Sequence, residues 1–318
     1  MSEMISRRAF LKGSAAAACT VAASGLTAAA APAPSEPQLC TLLDLSKCTA
    51  CEECVDACKE ANADKYPQPE KPFPQMYPAR VPVADWSEKQ GIQDRLTPYN
   101  WLYIQTVDVE VDGEEIEVNI PRRCMHCVNP PCVKLCPWGA ARQFKNGISR
   151  IDSDICLGGS KCKAVCPWHI PERQTGVGLY LDILPSLAGN GVMYKCDRCY
   201  NRIAQGELPA CIEACPEDVQ QIGPRNEMIE KAHILAKEID GYIYGETENG
   251  GTNTIYVSPV PFDAINKASE YGKGRPPLKP AADSMASANN IITAMAIAPI
   301  AGVAFAAGKL FKQTQKDT

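Results

Sequence analysis

The 17 cysteines of this 318-residue chain offer more chemistry than any other residue type. Most of them fall into four groups. The first is Cys48, Cys51, Cys54 and Cys58, and the second is Cys124, Cys127, Cys132 and Cys136. The third is Cys156, Cys162 and Cys166, and the fourth is Cys196, Cys199, Cys211 and Cys215. Proline follows the last cysteine of three groups, at Pro137, Pro167 and Pro216, whereas Lys59 stands there in the first. Cysteine at this density implies disulfides, zinc or iron–sulfur clusters. A cubane cluster needs several thiolates converging on a compact body, and Cys-x-x-Cys-x-x-Cys lets one loop wrap three corners. A fourth cysteine, followed by proline, leads away and ligates the other cluster of a pair. Proline turns the chain and removes a competing backbone donor. The first group has this spacing, and the wider gaps Cys127–Cys132 and Cys199–Cys211 read as insertions in the wrapping loop. The Cys196/Cys199 pair alone would also suit zinc, but four repeats with three Cys-Pro ends go far beyond a zinc ribbon.

Other chemistries find less support. A net charge of −5 argues against a nucleic-acid partner, and three histidines argue against a His-rich metal site. The chain has no radical-type Cys-x-x-x-Cys-x-x-Cys motif, glycine-rich nucleotide loop or nucleophile elbow. It also has no Cys-x-x-Cys-His haem motif. No catalytic residue is therefore expected, which weighs against an autonomous iron–sulfur enzyme. A colourless zinc or disulfide scaffold remains the structural alternative.

Both ends carry targeting features. Ser6-Arg7-Arg8-Ala9-Phe10-Leu11-Lys12 precedes an Ala-rich run from Ser14 to Ala31 and the small residues Ala29, Ala30 and Ala31. This resembles a twin-arginine signal peptide over residues 1–33, with cleavage near Ala31 to Ala33 and Cys19 leaving with it. As its known role implies, that route exports folded proteins, so thiols can receive clusters in a reducing cytoplasm before meeting oxidising conditions. At the other end, Ser284 to Gly308 holds no charged residue, and Lys309, Lys312 and Lys316 follow. Such length suits a transmembrane anchor over residues 288–310, interrupted by Pro299, which membrane helices tolerate. Positive flanks favour the cytoplasmic side, so the expected location is the periplasmic face of the membrane with a cytoplasmic tail. The alternative is a helix packed on a partner subunit.

Between the ends, the expected fold class is α+β: tandem bacterial-ferredoxin-like modules with loop insertions. The four-cluster domain spans about 40–225, with an insertion over about 62–120. Pro67, Pro69, Pro72, Pro74, Pro78 and Pro82 make the start of that insertion extended and loop-like, either a plain surface insertion or a segment wrapping a partner. Val107, Val109 and Val111 alternate with acids, and Asp112-Gly113 then turns into Ile116 and Val118, which predicts a hairpin. A C-terminal extension and linker covers 226–283. Within it Met228 to Ile239 has helical spacing that Gly241 stops, and residues 270–283 read as a linker.

The four-group arrangement, over roughly residues 40 to 225, resembles the iron–sulfur (beta-type) subunits of membrane-bound respiratory oxidoreductases. Tyr244-Gly245-Glu246, Gly250-Gly251-Thr252, Val260-Pro261-Phe262 and the two ends look like one branch, the membrane-anchored subunit of hydrogenase 2-type nickel–iron enzymes. The resemblance implies that the first group pairs with the fourth and the second with the third. One cluster would use Cys48, Cys51, Cys54 and Cys215, and another Cys196, Cys199, Cys211 and Cys58. A third would use Cys124, Cys127, Cys132 and Cys166. The last has only Cys156, Cys162 and Cys136, because Gly159 stands where a ligand is expected. That implies three [4Fe-4S] clusters and one [3Fe-4S]; four [4Fe-4S] clusters, with water or Ser160 as the missing ligand, is the alternative. Cys40 makes the count 16 once Cys19 is gone, but its place before the first group makes it a spare thiol. The implied partners are an exported catalytic subunit, with hydrogenase favoured, and a polytopic quinone-reactive membrane subunit. A molybdopterin oxidoreductase or a multihaem cytochrome complex is the alternative assembly. Arg122, Arg123 and His126 flank the second group, and Lys195, Arg198 and Arg202 the fourth. Taken singly each reads as a solvated surface charge, although positive charge near a cluster favours its reduced form.

Overall fold

A computed structural model of the chain describes residues 37–297 apart from 112 and 188. The expected signal peptide lies outside the described residues, as does the expected anchor beyond residue 297. Residues 288–297 are helical. Among the described residues no helix is long and apolar enough to cross a membrane.

Strand β1 (Leu39–Asp44) precedes the first cysteine group, and β2 (Tyr103–Val111) and β3 (Glu114–Arg122) separate the first from the second. The pairs β4 (Ala141–Gln143) with β5 (Ser149–Ile151), and β6 (Glu172–Gln174) with β7 (Val192–Tyr194), connect the later groups. β8 (Gln220–Pro224) leaves the fourth group, and β9 (Tyr242–Tyr244) and β10 (Thr254–Ser258) follow. β8, β1, β10 and β9 form one sheet in that order, with β1 parallel to β10 and antiparallel to β8. β1 is therefore central, which explains why Cys40 to Asp44 are all buried.

The period of two along β1 splits its side chains between two cores. Cys40 and Leu42 face a core with Ile255, Val257, Met228 and Ala232, under the helix Arg225–Glu238. Leu43 faces the other way, with Tyr256, Val107, Ile120, Trp168 and Leu278. Each fully buried aliphatic here contributes about 1.5–3 kcal/mol relative to exposure. No other cysteine shares the core of Cys40, and burial pushes its thiol up to about 11.

The predicted hairpin is present: β2 pairs with β3 from Tyr103↔Arg122 to Val111↔Glu114. The predicted helix runs from Arg225 to Glu238. Asp240 takes the left-handed conformation after it (φ 50°), and Gly241 donates its amide to the Ala236 carbonyl. Gly241 is needed for closeness, since a Cβ there would lie 2.6 Å from the Ser258 oxygen.

Two segments differ from their compositional reading. Residues 270–283 pack as a strap rather than a free linker. Leu278 is 1% exposed, Arg122 donates to the Pro276 carbonyl at 2.8 Å, and Tyr244 to the Lys279 carbonyl at 2.8 Å. The Pro-rich stretch is extended, as its composition dictates, but lies against the segment after the third group. Glu70 bonds Gly176, Tyr77 bonds Ser186 and Thr175 bonds Ala84 through backbone atoms.

Candidate metal centres

Every cysteine group folds into a similar turn. The residue two after the group's first cysteine has left-handed backbone: Ala50 (φ 56°), His126 (46°), Gly158 (61°) and Arg198 (56°). That conformation costs a non-glycine residue about 1–2 kcal/mol, and here it aims an amide at sulfur. Arg198 N–H donates to Cys196 Sγ at 3.3 Å. The Ala50 and Gly158 amides donate to Cys48 and Cys156 in the same way.

A helix then carries a further cysteine of each group: Cys54, together with Cys58, on Glu53–Ala61, Cys132 on Pro131–Lys134, Cys162 on Lys161–Ala164 and Cys211 on Ala210–Glu213. The last cysteine follows four residues later in every group, beyond the helix end in all but the first. In the first group four residues of helix rise about 6 Å, so its two helical thiols reach neighbouring cavities.

Among the described residues, three such cavities are found. Cys48, Cys51, Cys54 and Cys215 line one. Cys58, Cys196, Cys199 and Cys211 line the second. Cys124, Cys127, Cys132 and Cys166 line the third. The three other grouped cysteines, Cys136, Cys156 and Cys162, lie together in a further apolar core with Val177, Val192 and Met193, where Cys162 faces both of the others. Ser160 directs its hydroxyl to the Gly158 carbonyl at 3.3 Å and to Met193 Sδ at 3.4 Å. Among the described residues, no three His, Cys, Asp or Glu side chains are placed to hold a single metal ion. The thiols instead ring larger spaces, which suits a polynuclear body better than zinc, whose sulfur ligands sit about 2.3 Å from the metal.

Burial pushes these thiols up: Cys54 and Cys132 to about 12, Cys166 and Cys196 to about 11. Cys58, Cys127 and Cys162 are driven well above the ordinary thiol value by burial and then by their cysteine neighbours. Such thiols ionise only against a cation, which a bound cluster supplies. The polar lining fits the same occupant. Arg123 is buried and donates Nη1 to Cys211 Sγ at 2.9 Å, while its Nε and Nη2 have no partner. His126 Nδ1 accepts from the Ser149 amide at 3.2 Å, and its Nε2 is buried without a partner. Buried donors cost free energy when left unpaired, and the thiolates and sulfides of a cluster would accept from them.

The reading of the flanking cations as solvated charges holds only for Arg202, which pairs with Glu213 at 2.5 Å and is a third exposed. Arg122, Arg123, His126, Lys195 and Arg198 are all at most 6% exposed. Charge type alone does not reveal burial, which here comes from strands and loops distant in sequence. Arg122 bonds Gln105 at 2.5 Å, and Arg198 bonds the Leu39 carbonyl at 2.7 Å and the Asn253 carbonyl at 2.6 Å. Lys195 donates to the Ser149 carbonyl and, at 3.1 Å, to that of Cys196. One polar neighbour was missed altogether: Asn62 Nδ2 lies 3.8 Å from Cys58 Sγ and 2.8 Å from the Cys58 carbonyl. Its position one helical turn after Cys58 is the signal that would have found it.

Comparison with known proteins agrees with this geometry. Residues 47–140 and 117–225 each match a 4Fe-4S dicluster domain family. A protein of Nitratidesulfovibrio vulgaris is 30% identical, covering 84% of this chain and 68% of the relative. The hydrogenase-2 operon protein HybA of Escherichia coli O157:H7 is 28% identical, covering 82% and 83%. The probable anaerobic dimethyl sulfoxide reductase chain YnfG of Escherichia coli K12 is 31% identical, covering 61% and 77%. With tandem dicluster domains and relatives of this kind, the chain belongs to the 4Fe-4S iron–sulfur electron-transfer subunits of respiratory oxidoreductases.

Proposed function

We propose that this chain relays electrons between an exported nickel–iron hydrogenase subunit and a polytopic quinone-reactive membrane subunit. The observation that carries the relay is the set of three cavities, each ringed by four cysteines from two different groups. The similarity to HybA favours the hydrogenase partner, because it spans 83% of that protein's length.

In this reading the first site is Cys48, Cys51, Cys54 and Cys215, the second Cys58, Cys196, Cys199 and Cys211, and the third Cys124, Cys127, Cys132 and Cys166. Each takes a [4Fe-4S] cluster. The fourth site, Cys136, Cys156 and Cys162, takes a [3Fe-4S] cluster because Gly159 has no donor. Bound clusters supply one-electron carriers. The chain supplies thiolates, amides aimed at sulfur, and an apolar wall that keeps water away. Residues 1–33 direct twin-arginine export, and residues 288–310 anchor the folded body to the membrane's outer face.

The 31% identity to YnfG favours a second reading, the beta subunit of a molybdopterin oxidoreductase. Anaerobic affinity purification of the tagged full chain from solubilised membranes separates the two. Co-purification of a nickel-containing large subunit with hydrogen-dependent reduction of the bound clusters is expected. A molybdopterin subunit in its place overturns the hydrogenase assignment. A chain containing no iron overturns the relay itself.

A further inference from the structure

Charge is distributed unevenly over the cysteine-ringed cavities. Glu52 and Glu217 line the first, and among its described lining residues there is no Lys or Arg. Arg123, Arg198 and Asp197 line the second. Asp197 is offset: Lys65 Nζ lies 2.9 Å from its carboxylate, and its other oxygen accepts the Cys199 amide at 2.9 Å. Arg198 is tied into the fold by the Leu39 and Asn253 carbonyls and by Thr254 Oγ1 at 2.9 Å.

Arg123 is different. It follows Arg122, whose guanidinium is engaged by Gln105 and by the Pro276 carbonyl, as a structural arginine requires. Arg123 instead gives its one hydrogen bond to a sulfur, Cys211 Sγ at 2.9 Å, and keeps two buried donors unpartnered. It also faces Cys196 of the second site and Cys54 of the first. Its charge is permanent, it has no carboxylate partner among the described residues, and its surroundings exclude water, so its field is weakly screened.

We propose that Arg123 sets the reduction potential of the second site, placing its cluster above that of the first in the electron relay. The inference rests on the cluster reading above. A buried cation bonded to a ligand sulfur stabilises the added electron, and net charge and hydrogen bonds to sulfur are levers of cluster potential. The first site has no Lys or Arg in its described lining, and its two carboxylates, Glu52 and Glu217, are exposed and screened by water. Arg123 thereby acts as a positioning residue, through charge and a sulfur hydrogen bond.

The test is redox potentiometry of the purified holoprotein complex, followed by paramagnetic resonance with an iron assay on each sample. Arg123→Met should keep its iron and lower one midpoint by at least 59 mV, the equivalent of a tenfold change in the reduced-to-oxidised ratio. An Arg123→Met protein with full iron and no shifted midpoint overturns the proposal. If this variant loses the iron of one cluster, Arg123→Gln decides, because it removes the charge and keeps an amide donor for Cys211 Sγ. It should lower the same midpoint, and no movement overturns the proposal. Wild-type protein lacking iron would instead defeat the cluster reading itself.

Discussion

Gly159 occupies in the third cysteine turn the place that Cys51 holds in the first. Cys51 lies between the left-handed residues Ala50 (φ 56°) and Glu52 (φ 62°), and Gly159 between Gly158 (φ 61°) and Ser160 (φ 57°). A Cβ built at Gly159 meets nothing within 4 Å, so a side chain fits. Gly158 allows none, since a Cβ there would be 2.5 Å from the Gly191 oxygen. The Gly159→Cys protein should therefore fold and restore a fourth thiolate. Oxidised wild-type protein is expected to hold about 15 irons and show a three-iron paramagnetic signal, and the variant about 16 irons without it. A variant that keeps the signal at wild-type intensity would contradict the assignment.

Cys58 belongs to the first group in sequence and lines the second cavity in space. Cys58→Ala should therefore disturb the cluster of Cys196, Cys199 and Cys211, removing up to about four irons. The signals of the site formed by Cys48, Cys51, Cys54 and Cys215 should persist. Iron content together with low-temperature paramagnetic spectra of the reduced protein checks this. Loss of the first site's signals alone would reverse the pairing.

Leu278 tests whether the strap is structural. It is 1% exposed in the main core, beside Tyr244, Ile265 and Phe262. Leu278→Ala should cost about 2–5 kcal/mol, lowering the chemical denaturation midpoint of the holoprotein. A change under about 0.5 kcal/mol would mean that the strap contributes little.

Asp85 couples the Pro-rich insertion to the body. Partial burial opposes its ionisation, but four donors outweigh that effect: the Ser87 amide at 2.9 Å, its hydroxyl at 2.8 Å, Lys71 at 3.0 Å and Gln174 at 3.1 Å. Its carboxyl is thus held well below the usual range. A depressed folded-state value adds stability above the unfolded carboxylate value, near pH 3.9, and this is lost as pH falls through the folded value. Asp85→Asn should cost roughly 1 kcal/mol at neutral pH. The gap from wild type should close progressively below about pH 4. Denaturation curves at pH 7 and pH 3.5 measure the gap, and a pH-independent difference would refute this account.

Local physics made much of the molecule legible in one dimension. The Cys-x-x-Cys turns, the hairpin of alternating Val107, Val109 and Val111, and the helix ending at Glu238 depend on spacings of a few residues. Gly159 could be picked out because a missing donor is visible in a repeat. Long-range packing decided the rest. β10 lies beside β1 although more than 200 residues separate Thr41 from its partner Thr254. Residues 270–283 became a strap because Arg122 and Tyr244 bond their carbonyls. Arg123 and Arg202 are alike as letters, yet one is buried against a cysteine sulfur and the other faces solvent. Burial is set by what the whole chain folds over a residue, and that cost and benefit cannot be read from its neighbours in sequence.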